Sequence, residues 1–231
     1  MAIVLFAVSC QTGPDMSDLR QPTPAPSKTP IAEQELSGVY KVSGTNENSA
    51  KPYEGSLTVD NREDAYRFNW QTNLDKYSGT GVQIGDSVAV SYADPAVGKG
   101  CGVVLYKTAP DGSLDGRIVN WGEYTFGTEK AVRLEGTSFD GKYAVTGRTN
   151  DGREYKGTID IKRNGSGYQT TWKTGVERVG FGTWRGDRAA ISFGGVECSF
   201  VLFQVKPGGN LEGFWGSQRT VAFGRETAKR Q

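Results

Sequence analysis

At 231 residues the chain has room for one or two domains, and 27 Lys and Arg against 26 Asp and Glu leave a net charge of +1. That balance supplies no concentrated basic face, so nucleic acid is not an expected partner. Histidine is absent, which removes Ser-His-Asp and Cys-His catalysis and His-ligated zinc together and points to a non-enzymatic protein without metal or cofactor.

The chain opens on a short apolar run, Ile3 to Val8, too brief to span a bilayer, where about 20 residues are needed. It ends in Ala7-Val8-Ser9-Cys10, which resembles the lipobox of bacterial lipoproteins; the resemblance implies a signal segment over 1–10 and lipidation at Cys10. Ala7 stands where that pattern usually has Leu, and no Lys or Arg precedes the run. Residues 11–35 hold Pro14, Pro22, Pro24, Pro26 and Pro30 among polar side chains, a composition that reads as an extended tether. An exported protein held in the cell envelope is therefore expected, touching a membrane only through its lipid. Gln11 after the cysteine implies the outer membrane.

Past residue 36, apolar residues alternate with a period of two, and no stretch holds the 3.6-residue period of a helix. Tyr40/Val42, Leu57/Val59, Tyr66/Phe68/Trp70, Val88/Val90/Tyr92, Leu114/Ile118 and Tyr124/Phe126 each place bulky groups on one strand face. Cys101 to Tyr106 is continuously apolar and reads as the most buried strand. Gly85-Asp86, Pro110-Asp111-Gly112 and Asn164-Gly165 mark turns between them. Gly55, Gly79, Gly81 and Gly116 sit on the apolar faces of strands, as a tightly coiled barrel requires.

The pattern occurs twice. Gly38-x-Tyr40-x-Val42-x-Gly44 returns as Gly141-x-Tyr143-x-Val145-x-Gly147, Tyr66-x-x-x-Trp70 as Tyr168-x-x-x-Trp172, and Gly127-x-Glu129-x-Ala131-x-Arg133 as Gly224-x-Glu226-x-Ala228-x-Arg230. Each copy is domain-sized, too long for a solenoid unit of about 20–50 residues. The expected architecture is all-β: two tandem homologous antiparallel up-and-down barrels of about eight strands, over 36–134 and 135–231. A single wider barrel or sandwich shared by both copies is the alternative.

Gly38/Tyr40 with Arg133, and Gly141/Tyr143 with Arg230, resemble the calycin arrangement of lipocalins and avidins. There a first-strand aromatic (Trp in that family, Tyr here) packs beneath a late-strand Arg at the barrel base. The resemblance implies a calycin-like barrel and a base pair within each copy. The whole pattern is also similar to short exported bacterial proteins often named fibronectin-binding.

Tyr66, Trp70, Tyr168 and Trp172 are the paired candidates for a ligand-stacking floor, with core packing as the competing role. Trp184 has only Gln83 as its counterpart and is read as a copy-specific surface contact. Cys101 and Cys198, one per copy, could bridge only near a pseudo-twofold axis, with Cα atoms within about 7 Å. Their apolar setting leads us to expect two separate thiols, with a disulfide as the alternative. The recurring acids Glu129/Glu226, Asp86/Asp187 and Asp115/Glu212 are read as solvated or structural. The functional expectation is a binding or envelope-interaction module whose partner is an extracellular or envelope protein. A carrier of a small apolar ligand comes second, and a histidine-free enzyme third.

Overall fold

The computed structural model describes residues 33–46, 49–219 and 222–231. Cys10, its lipobox and residues 11–32 lie outside the described residues. Sixteen strands follow: β1 (Gly38–Asn46), β2 (Ser49–Arg62), β3 (Ala65–Thr72), β4 (Lys76–Ile84), β5 (Ser87–Ala93), β6 (Gly102–Thr108), β7 (Leu114–Asn120), β8 (Gly127–Glu135), β9 (Gly141–Arg148), β10 (Glu154–Asn164), β11 (Gly167–Lys173), β12 (Glu177–Arg185), β13 (Arg188–Phe193), β14 (Ser199–Val205), β15 (Leu211–Gly216) and β16 (Gly224–Arg230). They form two closed antiparallel barrels of eight strands, as the alternation requires.

The barrels are not the two sequence copies. Barrel A runs β1-β2-β3-β4-β5-β14-β15-β16 and closes β16 on β1; barrel B runs β6 to β13 and closes β13 on β6. Barrel B is thus one contiguous stretch, inserted between β5 and β14 of barrel A. Each barrel takes five strands from one copy and three from the other. The expected boundary at 134/135 falls instead inside barrel B, at the end of β8 where it turns into the β8–β9 hairpin. Equivalent strands carry similar inward residues, Val104 and Tyr106 on β6 against Val201 and Phe203 on β14, so either can stand beside β5. The five-residue link from Glu135 to Gly141 suits an antiparallel hairpin.

The exchange also decides the base pairs. Tyr40 stands opposite Arg230 and Tyr143 opposite Arg133, so each tyrosine meets the arginine of the other copy's numbering order, not the one expected. The Arg230 guanidinium lies 5.8 Å from the Tyr40 ring and donates to the Glu35 and Ser37 carbonyls. The Arg133 guanidinium lies 5.6 Å from the Tyr143 ring and donates to the Tyr143 hydroxyl at 3.3 Å. Both tyrosine hydroxyls cap the chain just upstream, at Leu36 O (2.6 Å) and Phe139 O (2.8 Å). An arginine over a first-strand tyrosine thus lies at one end of each barrel.

Outward faces of the two barrels pack together. Val82, Ala89 and Leu202 of barrel A meet Val103, Leu105, Val119 and Ala190 of barrel B in one buried cluster. This explains the continuous apolar run in β6: Val104 and Tyr106 enter the barrel core, while Val103 and Leu105 enter the seam. The pseudo-equivalent Ser91 and Ser192 share a hydrogen bond across that seam. At its end Cys101 and Cys198 form a disulfide with Cα atoms 5.6 Å apart, correcting the expectation of separate thiols. The cysteines lie where the chain crosses between barrels, and the two crossings meet at the pseudo-twofold axis.

Strand glycines serve close approach. A Cβ at Gly55 would lie 2.1 Å from Gln71 O and 2.6 Å from Thr72 Cα; at Gly157 it would lie 2.0 Å from Lys173 O. These are backbone atoms of a hydrogen-bonded neighbour and cannot swing away. Gly55→Ala and Gly157→Ala are each expected to destabilise the protein by about 2–3 kcal/mol, read from urea midpoints. A loss below about 0.5 kcal/mol would show that the hairpins relax freely.

Candidate functional site

In each barrel a carboxylate projects inward from the last strand of its Gly-x-Glu-x-Ala-x-Arg motif. Glycine and alanine on the same face leave room above and below it. Glu226 on β16 accepts from Tyr53 OH at 2.6 Å and from Trp70 Nε1 at 2.9 Å. Glu129 on β8 accepts from Tyr155 OH at 2.7 Å, Trp172 Nε1 at 3.2 Å and Tyr106 OH. The two networks are copies of each other, with Phe203 at the position of Tyr106 in barrel A. Both acids are buried, at 7% and 1% exposure. Both lie inside the barrels and are not solvated.

Burial holds both carboxyls above the ordinary glutamate range, against the opposing pull of the hydrogen bonds from tyrosine and tryptophan. Arg178 adds a further downward pull on Glu129. The same burial, together with the adjacent carboxylates, pushes the hydroxyls of Tyr53, Tyr106 and Tyr155 well up, so they remain donors. A raised pKa means the folded state binds its protons more tightly than the unfolded chain. The stabilisation is complete below the unfolded value of about 4.3 and is lost as pH rises through the folded values. Stability of the native chain relative to a Glu129→Gln/Glu226→Gln variant is therefore expected to fall across that window. Parallel urea midpoints for the two proteins between about pH 4 and 8 would refute it.

Beyond the carboxylates, at the end opposite the arginine plugs, each barrel opens into a pocket. That of barrel A has a volume of about 260 Å³ and is lined by Tyr53, Trp70, Tyr77, Tyr92, Trp215 and Glu226, with Leu74 and Asp75 at its rim. That of barrel B, about 330 Å³, is lined by Glu129, Tyr155, Trp172, Arg178, Phe193 and Ile118, with Val176 and Arg153 at its rim. A larger groove of about 500 Å³ lies between the Arg185–Arg188 turn and β14–β16; its arginines alternate with Asp86, Asp187 and Glu212. In that groove the Arg185 guanidinium sits 3.7 Å over Phe214.

The predicted aromatic floor splits. Trp70 and Trp172 reach the pockets, while Tyr66 and Tyr168 belong to the filled bases. Trp184 is corrected: it stacks on Phe139 at 5.6 Å and packs against the base of barrel B, because its alternation with Gly180 and Gly182 points it inward. Tyr53, Tyr77, Tyr92 and Trp215 were missed as site residues. The parity that places Val90 and Phe68 inward extends to Tyr92 and Trp70 and was the available signal. Asp115 and Glu212 are exposed as their parity requires. Among the described residues no cluster of three or more acids and cysteines could hold a metal ion.

A plugged base, a sealed wall and an open aromatic mouth, present twice, define a double eight-stranded β-barrel protein with two internal pockets. The chain matches no family model and no curated protein. Among solved structures it is similar to a porin-like protein from Bacteroides uniformis ATCC 8492, at 11% identity over 86% of this chain and 99% of that chain, with a TM-score of 0.22.

Proposed function

We propose that this chain is an exported, non-enzymatic binding protein of the cell envelope whose two barrels each hold a small molecule in the mouth pocket. The observation that carries this reading is that neither barrel is filled as far as its mouth: rings and one buried carboxylate line an open cavity at that end of both. Pockets of this size suit a small ligand. The pocket reading is thus preferred to docking of an envelope protein. In each pocket the buried carboxylate is committed to tyrosine and tryptophan donors, which supports binding over acid–base turnover.

Export is supported by the disulfide, since such bonds persist in oxidising compartments. The lipobox-like Cys10 supplies the anchor in this reading. Strand polarity favours a barrel held at the membrane over one spanning it. On β8, Thr128 and Lys130 face outward while Glu129 and Ala131 face inward, the reverse of a barrel with a lipid-facing apolar band. Native mass spectrometry of protein purified from its own source is expected to show a retained small molecule, displaced less readily from wild type than from Trp70→Ala/Trp172→Ala. Protein that carries no adduct and binds nothing from a small-molecule extract of that source would remove the reading.

A further inference from the structure

The two pockets are copies whose linings have diverged where charge is decided. Barrel B has Arg178, Phe193 and Ile118 at the positions of Tyr77, Tyr92 and Trp215 in barrel A. In barrel B the Arg178 guanidinium stands 5.8 Å over the Phe193 ring, and its charge acts on Glu129. Barrel B thus brings its own cation to an aromatic face beside a buried acid. Barrel A keeps the acid and gains rings, but no Lys or Arg lines its pocket. None of the ion pairs among the described residues includes Glu226.

We propose that the mouth of barrel A binds a small organic ammonium ion, seated where barrel B places the Arg178 guanidinium. This rests on the pocket reading above and names the ligand class for one of the two sites. The rings form a cage: Trp70 and Tyr92 are 5.5 Å apart between centroids, Tyr77 and Tyr92 5.6 Å, and Tyr53 and Trp215 6.3 Å. Aromatic faces attract a cation that has left water, and an alkylammonium loses less hydration than a metal ion would. Glu226 at the floor supplies the countercharge, and Asp75 at the rim, hydrogen-bonded by Tyr77 OH at 3.2 Å, draws cations toward the entrance. A cation seated in the cage favours the ionised carboxyl of Glu226 that burial alone disfavours. The volume of about 260 Å³ limits the guest to a few heavy atoms beyond the ammonium group.

The test is calorimetric titration of the full chain with choline and with its neutral isostere 3,3-dimethylbutan-1-ol. Choline is expected to bind at one site per chain, at least about tenfold more tightly than the isostere. Tyr77→Arg, which writes the barrel B solution into barrel A, is expected to abolish choline binding, and Glu226→Gln to weaken it at least about tenfold. Trp172→Phe in barrel B is expected to leave it unchanged. Circular dichroism confirms the fold of each variant, and Tyr77→Arg carries the decision if Glu226→Gln unfolds. Equal binding of choline and isostere overturns the ammonium assignment while leaving a small-molecule pocket. Binding of neither, with a different adduct retained in native mass spectrometry, does the same. Choline binding lost in Trp172→Phe but kept in Tyr77→Arg overturns the assignment to barrel A.

Discussion

The segment 101–198, expressed alone, is expected to fold into a closed barrel, although it begins and ends in the middle of the two sequence copies. It contains β6 to β13 entire, with every strand pairing of barrel B, including the β13–β6 closure. Its core of Tyr106, Tyr143, Ile159, Trp172 and Ile191 is complete within those limits. Cutting it out exposes the seam face of Val103, Leu105, Val119 and Ala190, so a lower melting temperature than the whole chain and some self-association are expected. The fragment 36–134 is a full sequence copy, yet it loses the β1–β16, β5–β14, β6–β13 and β8–β9 pairings. It is expected to lack a cooperative monomeric transition. Near-UV circular dichroism and urea unfolding decide between them. A folded monomeric 36–134 beside an unfolded 101–198 would reverse the assignment of strands to barrels.

Loss of the disulfide is expected to have the next largest effect. Cys101 and Cys198 are 97 positions apart, and the bond closes a loop containing the whole of barrel B. A loop of that length restricts the unfolded chain by about 4–5 kcal/mol on the loop-entropy account, and measured effects run to about 2–4. The sulfurs also sit in a small buried cluster with Ala93 and Trp121, so truncation leaves a void. Cys101→Ala/Cys198→Ala is expected to lose about 3 kcal/mol and roughly 10 °C in melting temperature. Each single variant should lose nearly as much as the double, because either one removes the same bond. A melting temperature unmoved by reductant or by the double variant would mean that the seam alone holds the crossings together.

The wrong prediction about the cysteines took an apolar setting as a reason for separate thiols, whereas the bond lies where the two crossings meet. The wrong prediction about Tyr40 and Arg133 assumed that the unit that was copied is the unit that closes. In an eight-stranded ring every strand needs two neighbours, and the eighth strand already pairs with the first. A chain holding two copies of such a ring can satisfy the same ladders with β5 beside β6 or with β5 beside β14. Tyr106 and Phe203, Val104 and Val201, Leu114 and Leu211 occupy equivalent places, so the local pattern is nearly indifferent to the choice. The short link between Glu135 and Gly141 was a hint in favour of a hairpin, but link lengths constrain topology only weakly.

The arginine at the base came from the family resemblance, with other partners than those observed. Alternation along each strand, the turn glycines and the repeated motifs pointed to an all-β chain of closed barrels and put Trp70 and Trp172 on the faces of their bulky neighbours. Those properties depend on residues within one strand or on its immediate neighbour, where a period of two leaves little freedom. Which copy completes which barrel, whether Cys101 meets Cys198, and which rings join Glu226 at an open mouth depend on contacts between positions about 100 or more residues apart. The disulfide lies at the end of a seam made by the outer faces of β6 and β14, and the rings meet Glu226 because β16 closes on β1 in barrel A, both of which follow only once the strands are exchanged.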